Sequence, residues 1–158
     1  MGHLIEYRGP TDEEKGLFLE WMRDHMGATV GAVMEFLELD WQEFARLFGT
    51  VGEVRAIECD RRLAGFIWIE KRKRDLHVHG IILQPEYRGK GLGGRIFDDL
   101  AAEFRDDVDA FELGVRTSND GAIRFYERRG FRLHRTIEDV GFRIYRKLPN
   151  EGPAEPTT

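Results

Sequence analysis

A chain of 158 residues, 41% hydrophobic and 34% charged, is long enough for one domain with a buried core and has the composition of a soluble globular protein. Its net charge of −5 argues against nucleic acid as the main partner, and its apolar runs are too short to span a bilayer. Cys59 is the only cysteine, which excludes an internal disulfide and a cysteine-cluster metal site.

The opening Met1-Gly2-His3-Leu4-Ile5-Glu6 has no basic segment followed by an apolar one, so no signal peptide is expected. Glu6 stands where a myristoylation signal needs Ser or Thr, and a cytoplasmic location is the default expectation. Leu4 to Arg8 reads as a short strand closed by Gly9-Pro10. Thr11 and Glu14 form a capping box for a helix with Leu17, Phe18, Trp21, Met22 and His25 at helical spacing. Gly27 and Gly31 interrupt, and a second helical pattern covers Val33 to Phe48. Val54 to Cys59 and Leu63 to Glu70 read as strands joined by a tight turn at Asp60-Arg61-Arg62, and Leu76 to Leu83 as a third strand of an antiparallel meander. The basic run Lys71-Arg72-Lys73-Arg74 between them reads as a solvated hairpin turn, with a role near a cofactor phosphate as the alternative.

A glycine-rich loop follows, and then a helix over Gly91 to Phe104 with Leu92, Ile96, Leu100 and Phe104 on one face. Ala110 to Val115 is a strand and Asn119 to Arg129 a helix. Phe131 to Glu138 and Phe142 to Lys147 close the pattern around Asp139-Val140-Gly141. The order β-α-α-β-β-β-α-β-α-β-β describes an α/β fold on a mixed, mostly antiparallel sheet. One domain is expected over residues 1–148, and the Pro-, Glu- and Thr-rich residues 149–158 read as a disordered tail.

The chemistry concentrates in Gln84-Pro85-Glu86-Tyr87-Arg88-Gly89-Lys90-Gly91-Leu92-Gly93-Gly94. Its glycines let the backbone approach a ligand, and the first turn of the next helix offers unpaired N–H groups to a phosphate. A Walker A loop fails, because Arg95-Ile96 stands where Lys-Ser/Thr is required. Gly89 to Gly94 matches the G-x-G-x-x-G dinucleotide pattern, with Glu112 near the distance of a ribose-binding acid. Five residues separate the loop from its strand, however, and a meander precedes it, which is the wrong context.

Arg88-Gly89-Lys90-Gly91-Leu92-Gly93 instead resembles the R/Q-x-x-G-x-G/A motif of the GNAT superfamily of acyl-CoA-dependent N-acetyltransferases. Asn119, Ala122, Tyr126, Gly130 and Phe131 resemble that family's N-x-x-A-x-x-x-Y-x-x-x-G-F pattern, and the likeness covers Leu4 to Leu148. The resemblance implies a sheet splayed at its central strands and acetyl-CoA as acyl donor. It implies that backbone groups from Gly89, Lys90, Gly91, Leu92, Gly93 and Gly94, with the Arg88 side chain, hold the pyrophosphate. Backbone groups of Ile81, Ile82 and Leu83 would meet the pantetheine and acyl carbonyl, with Asn119 and Phe125 on the same cofactor. Direct transfer to a primary amine in a ternary complex follows, with Tyr126 as general acid.

Where many family members carry Glu on the strand before the loop, this sequence has His77. Period-two spacing puts His77, His79, Ile81 and Leu83 on one strand face, and an imidazole can accept a proton at neutral pH. Candidates for the base are therefore His77, His79 and Glu70, with solvated strand-face histidines as the plain alternative. The family's acceptor pocket maps to Trp21, Met22, Phe36, Leu37, Trp41 and Phe44, most of them expected in the core. Glu35, Glu38, Asp40 and Glu43 can hold a cationic amine or lie on a solvated face. The acceptor stays open between a small molecule and a peptide, and the assembly between a monomer and a homodimer. A CoA-binding module without catalysis is the competing class.

Overall fold

The computed structural model describes residues 2–148; the expected tail at 149–158 lies outside them. The element order is the one expected. Strand β1 (Ile5–Arg8) leads to helices α1 (Asp12–Leu37) and α2 (Trp41–Thr50). Strands β2 (Glu53–Cys59), β3 (Arg62–Arg72) and β4 (Asp75–Leu83) form the meander. Helix α3 (Leu92–Phe104), strand β5 (Ala110–Arg116), helix α4 (Asp120–Arg128) and strands β6 (Arg132–Ile137) and β7 (Phe142–Lys147) complete it. The strand order in the sheet is β1-β2-β3-β4-β5-β7-β6, so β7 lies between β5 and the exposed edge strand β6. Among the described residues no helix is long and apolar enough to cross a membrane.

Two compact units are distinguished within the chain: residues up to Glu70 together with His79–Leu92, and Lys71–Val78 together with the chain from Gly93 onward. In the first, Phe18, Met22 and Val30 of α1 and Phe44 and Phe48 of α2 pack with Ala56, Phe66, Trp68 and Ile82 of the strands. Phe18 stacks on Phe66 at 4.7 Å, and Phe48 meets Trp68 edge-on at 5.1 Å; such pairs add about 1 kcal/mol each beyond the area they bury. In the second unit Ile96, Phe97 and Leu100 of α3 and Ile123 of α4 are buried, as are Phe111, Leu113 and Val115 of β5.

One expected boundary moves. Gly27 and Gly31 do not end the first helix, which runs through both with a kink at Met26 (φ −127°, ψ 25°). A helical glycine costs only about 1 kcal/mol against alanine, and burial of Met22 and Val30 on either side of the kink offsets that. The break comes at Glu38, whose left-handed φ of 55° stops α1, and Asp40 then caps α2 through its own capping box with Glu43. Elsewhere the local signals hold. Asp60 and Arg61 take positive φ values of 51° and 69°, the two-residue hairpin turn suited to twisted strands. The basic run forms the exposed β3–β4 turn.

Glu14 does two jobs at the start of α1. It accepts the Thr11 N–H at 2.9 Å, and it takes both Arg8 Nη1 and Nη2 at 2.8 Å, while Arg8 Nε reaches Glu58 at 2.9 Å. The hydrogen bonds from Arg8 hold the Glu14 carboxyl down at about 2 and raise Arg8 above its ordinary value. A depressed carboxylate stabilises the fold fully above its unfolded value of 4.5, and that contribution disappears as pH falls through about 2. Glu14→Gln therefore costs about 1 kcal/mol at neutral pH. In denaturant titrations the gap between wild type and variant closes between about pH 4.5 and 2. A gap independent of pH contradicts this account.

Candidate functional site

Along β4, Leu76, Val78, Gly80 and Ile82 are buried, and His77, His79, Ile81 and Leu83 are half-buried, the alternation that period-two spacing predicts. Each histidine meets a different carboxylate. His79 Nε2 lies 2.9 Å from Glu70 Oε1, and its ring stacks on Trp68 at 4.4 Å. Trp68 is itself fixed by its indole N–H donating to Val51 O at 2.7 Å. His77 Nδ1 lies 3.3 Å from Glu112 Oε1, its register partner on β5. Arg146 backs that pair, with Nε 3.9 Å from Glu112 Oε2 and Nη2 donating to Asp75 at 2.8 Å.

The strand exit is tied down by backbone approach. A Cβ on Gly65 of β3 would lie 2.0 Å from Ile82 O, so only glycine permits this spacing. Gln84 N–H donates to Ala64 O at 2.8 Å and its side-chain amide to Leu63 O at 3.2 Å. A single 3₁₀ turn, Pro85–Tyr87, follows. Arg88 Nε then donates to Leu83 O at 2.9 Å. The Leu83 carbonyl, expected among the free backbone groups, thus already accepts one hydrogen bond, and Arg88 closes the loop on its own strand end.

The glycines of the loop divide into two kinds. Gly89 (φ 72°) and Gly91 (φ 77°) hold left-handed backbone with open space around them, a conformation that exposes successive N–H groups. Gly93 and Gly94 sit in α3 and serve packing: a Cβ would come 3.3 Å from Phe125 Cζ and 2.9 Å from Arg129 Nη1. Arg129 Nη2 donates to Gly94 O at 2.9 Å and also pairs with Asp98, latching α4 to the first turn of α3.

On α4, Asn119 is the N-cap, its Oδ1 accepting the Ala122 N–H at 3.2 Å. Tyr126 is packed among Phe97 (5.8 Å), Phe125 (5.4 Å) and Phe131 (5.8 Å). This burial raises its phenol above the ordinary value of 10.0, because a phenolate would lose its hydration there.

The expected acceptor-pocket residues separate. Met22 and Phe44 are buried, Trp21 and Trp41 are partly buried against the same core, and Arg23 lies 3.8 Å over the Trp41 ring. Phe36 and Leu37 are not core, at 58% and 51% exposed: they lie in the last turn of α1, where the left-handed Glu38 already turns the chain away. Asp40 and Glu43 are occupied as the α2 capping box, and Glu35 and Glu38 are exposed.

A family model described as the acetyltransferase (GNAT) family matches residues 15–131, more than half of the chain. The chain belongs to that family. Over 76 residues it is 38% identical to a putative [ribosomal protein bS18]-alanine N-acetyltransferase of Bacillus subtilis, covering 47% of this chain and 50% of that protein. Over 80 residues it is 30% identical to a mycothiol acetyltransferase of Brachybacterium faecium, covering 47% and 24%. It thus spans a quarter to a half of the length of these curated relatives. The PaiA N-acetyltransferase of Thermoplasma acidophilum, solved in complex with coenzyme A, shares the fold: TM-score 0.64, 20% identity, 92% of this chain and 99% of that one.

Within this GNAT chain the loop and Tyr126 were legible as motif positions and the two histidines as neighbours on one strand face, whereas the Trp68–His79 stack and the Arg129 latch were not. Both depend on which strands and helices become neighbours, and the only trace in the sequence is Trp68 and Glu70 two residues apart on one strand. Gly65 generates a direct expectation. Gly65→Ala destabilises the protein by about 3 kcal/mol, because backbone rather than a flexible side chain must move. A denaturation midpoint that stays in place is incompatible with the spacing described.

Proposed function

We propose that this chain is an acetyl-CoA-dependent N-acetyltransferase acting on a primary amine by direct transfer in a ternary complex. The observation that carries the reading is the loop between β4 and α3, with left-handed Gly89 and Gly91 leading into the helix N-terminus. Successive N–H groups at a helix start suit a pyrophosphate, with Lys90 adding charge and Arg88 bracing the loop. In this reading the cofactor also meets backbone groups of Ile81, Ile82 and Leu83, along with Asn119 and Phe125.

The acceptor amine gives a proton to a base, its nitrogen attacks the thioester carbon, the C–S bond breaks, and the departing thiolate takes the Tyr126 proton. A desolvated phenol remains a proton donor across the neutral range, which suits Tyr126 to that role. Of the three candidate bases, the closer imidazole–carboxylate pair favours His79, held by Glu70 and by the Trp68 ring. His77 with Glu112 is the looser arrangement. The relatives carry different names, one for a ribosomal protein alanine and one for mycothiol, which supports leaving both peptide and small-molecule acceptors open.

Thiol release from acetyl-CoA across a panel of peptide N-termini, polyamines and amino sugars tests the activity. Turnover on at least one acceptor is expected, and CoA binding without turnover on any would make the chain a binding module. Tyr126→Phe lowers kcat about 100-fold or more with little change in CoA affinity; unchanged kcat removes Tyr126 from the mechanism. His79→Gln lowers kcat/KM by a comparable factor of about 100, and His77→Gln has the smaller effect. The reverse order would move the base to His77.

A further inference from the structure

Away from the loop and β4, His3, Cys59 and Asp60 bring one nitrogen, one sulfur and one oxygen donor within 4.8 Å of one another. Asp60 Oδ2 is the shared vertex, 2.9 Å from His3 Nδ1 and 3.9 Å from Cys59 Sγ. The backbone holds the three in place. Ile5 is the register partner of Cys59, Asp60 N–H donates to Leu4 O at 2.8 Å, and Leu4 N–H donates to Asp60 Oδ1 at 2.9 Å. Asp60 occupies the left-handed corner of the β2–β3 turn, and the Leu4 N–H on Oδ1 holds its carboxylate.

We propose that His3 Nδ1, Cys59 Sγ and Asp60 Oδ2 form a binding site for a Zn²⁺-type divalent cation at the edge of the sheet. A tetrahedral Zn²⁺ with ordinary ligand lengths spaces nitrogen from oxygen by about 3.3 Å and sulfur from oxygen by about 3.6 Å. The observed separations of 2.9 and 3.9 Å lie within a few tenths of an ångström of those values, and the His3–Cys59 edge, inside 4.8 Å, closes by at most about 1 Å. A thiolate with an imidazole and one carboxylate selects Zn²⁺ or Co²⁺ over Mg²⁺ and Ca²⁺. Binding takes the Cys59 proton to solvent and leaves His3 protonated on Nε2. Asp60 Oδ1 keeps the Leu4 N–H, which orients the ligating carboxylate from behind. Three protein ligands leave a fourth position for water. Because β1 is the edge strand, the ion clamps the start of that strand to the first hairpin. The site is independent of the acyl-transfer reading.

Co²⁺ titration of the full chain, carrying no added histidine tag, tests the proposal. One thiolate-to-cobalt charge-transfer absorption per chain is expected, displaced by Zn²⁺ and unaffected by Mg²⁺, and saturating Zn²⁺ raises the melting midpoint. Cys59→Ser abolishes the absorption, and His3→Gln and Asp60→Asn each weaken cobalt affinity about tenfold or more. Asn tolerates the left-handed turn position and the His3 side chain is partly exposed, so both variants keep the fold, as circular dichroism can verify. The proposal is overturned by the lack of any charge-transfer band in the wild type. It is equally overturned by a band that His3→Gln and Asp60→Asn leave unchanged.

Discussion

The distance between the backbones of Gly65 and Ile82 sets the terms for the end of β4 and the loop that leaves it. With a Cβ at position 65 lying 2.0 Å from the Ile82 carbonyl oxygen, β3 and β4 meet at a separation no other residue allows. From that contact the strand end is placed by steps. Gln84 bonds back to Leu63 and Ala64, the 3₁₀ turn follows, and Arg88 returns to Leu83. The conformation of the glycine loop is therefore inherited from a close approach one strand away, and Gly89 and Gly91 complete it with left-handed backbone.

A second theme is the use of carboxylates to hold cationic or titratable partners. Glu70 holds His79, Glu112 holds His77, and Glu14 is gripped by Arg8 while also capping α1. Asp40 and Glu43 are committed differently, each accepting a backbone N–H in the α2 capping box. Overall negative charge thus says less about a cationic substrate than it first suggests, because much of it is already paired within the fold. The proposed amine acceptor has to be recognised by groups left over from that pairing, of which Glu35 and Glu38 are exposed examples.

Most elements were legible because their signals are local. The Thr11–Glu14 capping box, the alternation of β4 and the hydrophobic face of α3 each depend on residues a few positions apart. The course of α1 was not, because two glycines signal a break while the packing of Met22 and Val30 carries the helix past them. The same holds for the loop. Its glycine pattern does not separate backbone that must turn left-handed, at Gly89 and Gly91, from positions kept small by packing, at Gly93 and Gly94, where Phe125 and Arg129 lie over the backbone. No spacing rule along the chain reveals a side chain thirty residues away.

By itself the sequence determined the element order, the two motif segments and, through them, membership of the GNAT family. Periodicity, caps and turn residues are short-range properties, and they survive without knowledge of the fold. The tertiary structure decided which side chains face one another. It placed Trp68 against His79, Glu112 beside His77, the aromatic shell around Tyr126 and His3 next to Cys59 and Asp60. Each of these joins separate segments, through strand register, turn geometry or helix packing that only the folded chain establishes. Burial follows from the same packing, which is why the shifted phenol of Tyr126 belongs to the fold and not to the motif.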